Sequence, residues 1–184
     1  LGDGVLCLEF HSKANSLDPD IMSLGQEALR LLEKDEWNAL VVGNQGPDFC
    51  VGANLGLFIM AVQMGQMQMI EQGTKQLQDL MMAFRYARKP VVTAPFKRVL
   101  GGGAEVSMHG AQIVAAAETY MGLVEFGVGL IPAGGGCKEL LRRIIAPHVK
   151  DGVNMLPYVQ QTFETIAFAK VSESAKQARA VGFL

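Results

Sequence analysis

The hydrophobic pattern at the start of the chain changes from a period of two to a period of about 3.6 residues. Residues 4–10 alternate between an apolar and a mixed set of side chains, which predicts a strand with one strongly apolar face. Residues 21–32 carry apolar side chains every three or four positions, which predicts a helix. Asp18 can cap this helix, and Pro19 suits its first position. The chain is therefore expected to begin as a strand followed by a helix.

A second strand and a long helical region follow. Residues 37–42 predict a strand, and the glycines and proline of residues 43–47 predict a turn. Residues 56–86 repeat apolar side chains at periods of three and four, and we expect Gly65 and Gly73 to break or loosen this helix. The order strand, helix, strand, helix is typical of a mixed α/β fold built in layers.

The later elements are shorter. The pattern predicts strands over residues 91–94 and 113–117, extended chain over 119–121, and helices over 104–109, 138–144, 153–170 and 172–180. Pro157 limits where the third of these helices can begin, and Ser172 is the expected cap of the last one. The chain contains no internal repeat and no low-complexity linker, so we expect one domain over residues 1–184.

Composition excludes several classes of protein. Of the 184 residues, 49% are hydrophobic and 18% are charged, which predicts a globular chain rather than a disordered one. The net charge is −2 and the basic residues are scattered, so we expect no nucleic-acid partner. No apolar run approaches the roughly 20 residues of a membrane span. Asp3, Glu9 and Lys13 interrupt any signal-peptide core, and the expected location is cytoplasmic.

The cysteines and the first residue allow predictions about disulfides, metal sites and the extent of the chain. Cys7, Cys50 and Cys137 are odd in number and far apart, which fits neither a disulfide framework nor a zinc site. We interpret them as core or loop thiols and expect no metal site. Because the sequence begins with Leu1, we expect it to be a segment of a longer chain.

The strongest candidate for chemistry is a triple glycine followed by an acid. Residues 101–103 are all glycine, so main-chain N–H groups at a helix start can approach a ligand closely. Glu105 follows at once, and Glu125 lies far enough along the chain to face the same pocket from the opposite side. Taken alone, a triple glycine is most often a tight turn, but its acidic neighbours favour a catalytic site.

A second glycine-bearing turn lies at residues 49–54, just after a predicted strand. The N–H of Ala53 could oppose that of Gly102, and two such donors would form an oxyanion hole. Preorganised donors of this kind can stabilise the charge on a thioester oxygen by roughly 3–4 kcal/mol each. The glycine patches match neither a dinucleotide fingerprint nor a phosphate loop. Ser107 and His109, two residues apart on one helix, do not face each other as a hydrolase pair would.

Four segments in chain order resemble the enoyl-CoA hydratase/isomerase family, also called crotonases. They are residues 11–17, 49–53, 100–105, and 120–125 followed by 129–136. The resemblance implies a crotonase-like α/β fold of repeated ββα units, without the C-terminal helical region of that family. It also implies that Ala53 and Gly102 form the oxyanion hole and that Glu105 and Glu125 are the catalytic acids. The residues that it implies in substrate or CoA binding are Lys13, Ala14, Asn15, Val51, Gly52, Gly101, Pro132 and Ala133.

The resemblance implies reversible addition of water to a trans-2-enoyl-CoA in fatty-acid β-oxidation, with no cofactor beyond the CoA of the substrate. The presence of both acids favours a hydratase, because members lacking one commonly catalyse isomerisation, thioester hydrolysis or decarboxylation. We assign the water chiefly to Glu105 and the α-carbon proton to Glu125. Two alternatives stay open: a Δ3-Δ2-enoyl-CoA isomerase of the same fold, and a non-catalytic CoA-binding or docking domain of a hydroxyacyl-CoA dehydrogenase.

The chain departs from the family pattern at several positions. Asn54 stands where the family often has aspartate, and Ala133 stands where it has glycine, so that a methyl group crowds an amide expected to hold the water. Residues 146–170 form a longer segment that resembles hydratase domains fused to an NAD-dependent 3-hydroxyacyl-CoA dehydrogenase. We therefore expect a fused dehydrogenase domain as a partner. Formation of a homo-oligomer is left as an open alternative.

Overall fold

The computed structural model describes all 184 residues, which form six parallel strands in two sheets. The four-stranded sheet has the order β1-β2-β3-β5, and β4 pairs with β6 in the second sheet. The strands are β1 (Val5–Leu8), β2 (Ala39–Val42), β3 (Val91–Thr93), β4 (Lys97–Leu100), β5 (Gln112–Ile113) and β6 (Thr119–Gly122). Helices connect the parallel strands, as parallel pairing requires.

Seven helices cover these sheets. They are α1 (Pro19–Leu32), α2 (Leu55–Gln63), α3 (Met67–Arg85), α4 (Gly102–Met108), α5 (Gly136–Leu140), α6 (Leu156–Ala167) and α7 (Ala175–Val181). A π-helical turn, Leu141–Ile145, continues α5, and single 3-10 turns lie at Lys13–Asn15, Glu125–Val128 and Ala146–His148. The predicted cap of α1 is confirmed, because Asp18 accepts the N–H of Ile21 at 2.9 Å. No helix combines the length and the apolar character needed to cross a bilayer.

The structure corrects several predicted elements in the middle of the chain. Strand β4 has no counterpart among the predictions. The strand expected over 113–117 ends at Ile113, although the N–H of Ala116 still bonds the carbonyl of Pro95 at 2.9 Å. Because Pro95 has no N–H, it cannot return a ladder bond. The long helix breaks at Gly65, where φ is +68°, and Gly73 stays inside α3.

The cap of the last helix is also corrected. Ser174, rather than Ser172, caps α7 by accepting the N–H of Gln177 at 3.2 Å. Ser172 is buried instead, and its hydroxyl accepts the N–H of Met121 at 3.0 Å. The helix predicted over 153–170 is shorter and begins one residue before Pro157, as the fixed φ of proline favours.

The core lies between the four-stranded sheet and helices α1 and α3. Leu40, Val42 and Val91 point from the sheet into this layer, and Met81 and Phe84 meet them from α3. Strands β4 and β6 end side by side, because Leu100 pairs with Gly122 in register. Residues that follow these two strands therefore emerge at one edge, the usual place for a site in a parallel sheet.

Candidate active site

Two loop segments that are distant in sequence are held together by backbone hydrogen bonds. The N–H of Leu100 donates to the carbonyl of Cys50 at 2.9 Å, and the N–H of Cys50 donates to that of Arg98 at 3.2 Å. Gly52 follows with φ +99°, and a methyl group on it would lie 3.3 Å from the nitrogen of Gly102. The turn after Cys50 and the start of α4 are thus in van der Waals contact.

The amide of Ala53 is oriented by its neighbours in the chain. Leu17 donates to the carbonyl of Gly52 at 2.8 Å and accepts the N–H of Asn54 at 3.0 Å. In such a bridge the intervening residue directs its own N–H to the opposite side. A methyl group on Gly102 would lie 3.6 Å from the Ala53 nitrogen, so the two amides are neighbours. The structure therefore brings together the two predicted donors, and neither donates to an acceptor within the chain.

Glu125 lies against the backbone of Gly101. The N–H of Gly101 donates to the carbonyl of Gly122 at 2.9 Å, which joins the ends of β4 and β6. Gly101 has φ +53° and ψ −124°, a conformation open essentially to glycine alone. A methyl group there would lie 3.0 Å from Oε1 of Glu125. The glycine is required both by its dihedral angles and by the closeness of this carboxylate.

Glu105 occupies the first turn of α4 and is 2% exposed. Its Oε1 accepts the N–H of Gly136 at 2.8 Å, at the start of α5. A methyl group on Gly134 would meet Oε2 of Glu105 closely enough that the carboxylate would have to move. The loop of residues 134–136 therefore wraps the carboxylate in its observed position.

The two acids share one electrostatic environment. Burial, and then the charge of Glu125, raise the pKa of Glu105 to about 7, against the lowering effect of the Gly136 N–H. Burial also raises the pKa of Glu125, whose Oε2 is buried without a hydrogen-bond partner. Burial and then both carboxylates raise the pKa of the half-buried thiol of Cys137. The two acids thus lie in a poorly solvated pocket that raises the pKa of each, and the charge of Glu125 contributes to the shift of Glu105.

The predicted CoA-binding loop is a 3-10 turn at Lys13–Asn15, next to the Leu17 bridge. Lys13 and Ala14 are exposed. Asn15 is buried instead, and its Nδ2 donates to the carbonyls of Gln45 at 3.1 Å and Asp48 at 3.0 Å. The side chain of Asn15 therefore holds the loop in place and is not available to a ligand.

The remaining predicted binding residues lie on the two sides of the acids. Val51 is half-buried beside Gly52, and Pro132 is buried before the glycine loop. The carbonyl of Ala133 accepts a hydrogen bond from Nε2 of Gln78 at 2.8 Å, which ties this loop to α3. Asn54 accepts the N–H of Gly56 at 3.1 Å and so serves as the N-cap of α2.

An apolar cavity of about 350 Å³ opens beside the Ala53 amide. Helices α2 and α3 supply most of its wall. Leu77 also reaches the glycine loop, since a methyl group on Gly134 would lie 2.7 Å from its Cδ2. Three methionines, Met60, Met64 and Met69, line the cavity.

Sequence reasoning missed the groups behind Glu105. His109 is fully buried, and its Nδ1 lies 2.7 Å from the carbonyl oxygen of Glu105. Lys138 and the buried Glu139 lie on its other side. The four-residue spacing of Glu105 and His109 on one helix was a visible signal, because residues at that spacing share a face.

Comparison with known proteins agrees with this architecture. The profile of the "Enoyl-CoA hydratase/isomerase" family matches residues 4–147, and the chain belongs to that family. Its backbone superposes on that of an enoyl-CoA hydratase from Polaromonas sp. JS666 with a TM-score of 0.83, at 24% identity over 98% of this chain and 66% of the other. The crotonase-like fold that the resemblance implied is thereby confirmed.

Two relatives by sequence are larger proteins. A "Probable 3-hydroxyacyl-CoA dehydrogenase" of Bacillus subtilis (strain 168) is 47% identical over the whole chain, which spans 23% of that protein. A "Peroxisomal fatty acid beta-oxidation multifunctional protein" of Oryza sativa subsp. japonica is 28% identical over 79% of this chain and 20% of its own length. The chain therefore spans about a quarter or less of these relatives.

Proposed function

We propose that this protein is an enoyl-CoA hydratase, which adds water across the double bond of a trans-2-enoyl-CoA to give a 3-hydroxyacyl-CoA. The observation that carries the proposal is the pairing of the buried Glu105 with the half-buried Glu125 beside the amides of Ala53 and Gly102. Family membership narrows the chemistry to hydratase or isomerase, and the presence of two acids favours hydration.

The proposed substrate site combines two backbone N–H groups, an apolar cavity and a lysine side chain. The thioester oxygen would accept the N–H groups of Ala53 and Gly102, so that negative charge developing on it is stabilised in the transition state. The acyl chain would enter the apolar cavity next to Ala53, whose methionine side chains can adapt to different tails. The exposed ammonium of Lys13 lies on the turn beside this cavity and suits a CoA phosphate.

The protonation of the acid pair suits acid–base catalysis. Burial raises the pKa of both acids, that of Glu105 to about 7, so each holds its proton to a higher pH than an exposed glutamate would. The Gly136 N–H favours the charged form of Glu105, and the unpartnered Oε2 of Glu125 favours a proton there. We propose that the reactive form has Glu105 charged, as the base, and Glu125 protonated, as the acid. A pKa of about 7 leaves an appreciable fraction of Glu105 charged at neutral pH.

The reaction balances with these two groups. Glu105 takes a proton from water as the water oxygen bonds to the β-carbon, and the carbon–carbon double bond becomes single. The α-carbon takes a proton from Glu125. Glu105 ends protonated and Glu125 ends charged, so one proton passing between them resets the pair. Addition of water changes no net oxidation state, so no redox cofactor is needed. Because the two acids supply both proton transfers, we propose that no metal takes part either.

The proposal extends to the cellular role. The product is a secondary alcohol, which an NAD-dependent dehydrogenase can oxidise, and the relative from Bacillus subtilis carries that activity in its name. We propose that residues 1–184 act as a hydratase domain beside such a dehydrogenase, in cytoplasmic β-oxidation and with an acyl-CoA as the small-molecule partner. Association with further copies of the chain stays a prediction.

The test is turnover by Glu105→Gln and Glu125→Gln in the full-length protein, with Glu164→Gln as a control on the exposed face of α6. Loss of the conjugated double bond of crotonyl-CoA reports hydration, and its appearance from a 3-enoyl-CoA reports isomerisation. We expect each site variant to lose about 10²–10⁴-fold in kcat. The control should match the wild type.

Three outcomes would contradict the proposal. Double-bond migration without hydration would indicate the isomerase, which moves a proton between carbons and consumes no water. Acyl-CoA binding without turnover of either kind would indicate a binding or docking domain. Unchanged turnover in both glutamate variants would remove the acids from the mechanism altogether.

A further inference from the structure

Helix α4 ends directly behind Glu105, and its last turn departs from regular α-helical hydrogen bonding. In a regular helix the carbonyl of Glu105 would accept the N–H of residue 109. Here the helix tightens, and the N–H of His109 bonds the carbonyl of Val106 at 3.2 Å. The carbonyl of Glu105 bonds the imidazole of His109 instead, at 2.7 Å from Nδ1. A side chain thus occupies the place of the regular backbone donor.

The two nitrogens of the imidazole face different kinds of hydrogen-bonding group, an acceptor at Nδ1 and a donor at Nε2. Nδ1 faces a carbonyl oxygen, which can only accept, and Nε2 lies 2.9 Å from the ammonium of Lys138, which can only donate. The carboxylate oxygen Oε1 of Glu139 is farther from Nε2, at 3.6 Å, which is beyond hydrogen-bond distance. Both bonds form only when Nδ1 carries the proton and Nε2 does not. Burial lowers the pKa of His109 to about 4, in agreement with a neutral ring.

The groups around the ring hold this arrangement in place. Lys138 is kept over Nε2 by the buried carboxylate of Glu139, whose Oε1 lies 3.3 Å from the ammonium. Arg85 reaches across from α3 to the same carboxylate at 2.6 Å. A methyl group on Gly135 would lie 2.7 Å from Cε1 of His109, so the ring also packs on the loop that wraps the Glu105 carboxylate.

We propose that His109 is a positioning residue for Glu105. The neutral imidazole, fixed in the Nδ1–H tautomer by Lys138, ties the backbone of Glu105 to the residues 134–136 loop. It thereby keeps the carboxylate at the Gly136 N–H and facing Glu125. His109 touches no reacting atom in this scheme. The proposal rests on the proposed function, because it takes Glu105 as the group that activates water.

The test compares two amide replacements in the full-length protein. In His109→Asn the side-chain amide nitrogen can replace Nδ1 and donate to the carbonyl of Glu105. In His109→Gln the amide reaches the position of Nε2 and meets Lys138, but the bond to Glu105 is lost. His148→Gln is the matched control, since His148 makes the same four-residue bond, from Nδ1 to the carbonyl of Ile144 at 2.9 Å.

We expect His109→Gln to lose about 10–100-fold in kcat on crotonyl-CoA with KM within about twofold, because a small displacement of a reacting group is costly. His109→Asn should stay within about threefold of the wild type, and His148→Gln should equal it. Equal losses in the Asn and Gln variants, a loss confined to KM, or wild-type kcat in His109→Gln would overturn the proposal.

Nitrogen-15 NMR of the unmodified protein supplies a readout that needs neither folding of a variant nor turnover. The proposal requires the Nδ1–H tautomer of His109 from pH 5.5 to 8.5, and a protonated ring or the Nε2–H tautomer would refute it. Absence of hydration by the wild type would reject the proposed function instead. The tautomer and the carbon-13 titration of Glu105 in His109→Gln would then still decide the positioning role.

Discussion

The N–H of Gly136 donates to Oε1 of Glu105 across 2.8 Å, in a pocket where that carboxylate is almost fully buried. The hydrogen bond favours the charged acid, but burial and the neighbouring charge of Glu125 have the larger, opposite effect. The folded protein therefore holds a carboxylic acid at a pH where an unfolded chain would have released its proton. This has a measurable effect on stability.

We expect Glu105→Gln to be more stable than the wild type at pH 8. An acid whose folded pKa is raised, here from 4.5 to about 7, binds more protons in the folded state between these values. Its contribution to the free energy of unfolding is therefore retained below pH 4.5 and lost as the pH rises to 7. The variant should gain about 3 kcal/mol at pH 8 and nothing near pH 4.5.

Urea denaturation of both proteins from pH 4.5 to 8.5 measures this difference directly. Acids other than Glu105 and its neighbour Glu125 titrate equally in the two proteins and cancel from the comparison. A difference that stays constant with pH, or that grows toward low pH, would show that Glu105 does not carry a raised pKa.

The second prediction concerns Gly101→Ala. The substitution forces a side chain into a conformation that costs about 1–3 kcal/mol, and it puts a methyl group 3.0 Å from the Glu125 carboxylate. We expect lower stability and a loss of kcat larger than tenfold, because Glu125 must move. Gly152→Ala is the control, since Gly152 has φ +78° with nothing within 4 Å. It should lose stability and keep kcat, and an equal fall in kcat would contradict the role of the carboxylate contact.

The third prediction separates two neighbours on the 3-10 turn. Asn15→Ala removes a buried side chain that pins two carbonyls, so we expect it to lose about 2 kcal/mol in the free energy of unfolding. Lys13→Ala should leave stability unchanged and weaken acyl-CoA binding by about three- to tenfold, with a difference that shrinks at high salt. Calorimetric titration and urea denaturation measure the two effects. Weaker binding by Asn15→Ala at full stability would assign its side chain to the ligand.

The sequence correctly predicted the helix boundaries that depend on one or two neighbouring residues. The cap at Asp18 and the break at Gly65 follow from one or two residues, and both are confirmed. Strand β4 was missed because two of its four residues, Lys97 and Arg98, are exposed and give no alternating pattern. Its pairing with β6 depends on contacts more than 20 residues apart, which no local pattern records.

The candidate site likewise contains some features that the sequence predicts and others that it does not. Glycine runs and acids are visible as residue types, so Gly102, Glu105 and Glu125 could be chosen from the sequence. The environment of His109 could not be predicted, because its bond to a main-chain carbonyl exists only when α4 tightens at its end. The roles of the acids stay predictions until turnover is measured.

The last prediction concerns Glu139, a buried carboxylate that pairs with Arg85 at 2.6 Å and with Arg142 at 3.0 Å. Glu139→Gln would leave these guanidinium groups without a counter-charge, and breaking a buried pair from one side costs about 3 kcal/mol or more. Glu27→Gln is the control, because the pair of Glu27 with Arg30 is exposed to solvent and screened.

Urea denaturation at pH 7 should show a large loss for Glu139→Gln and none for the control. The same substitution removes the group that keeps Lys138 over His109, so the His109 tautomer should become mixed in the nitrogen-15 spectrum. If Glu139→Gln proves as stable as the wild type, the carboxylate cannot be what holds α3 to α5 behind the acid pair.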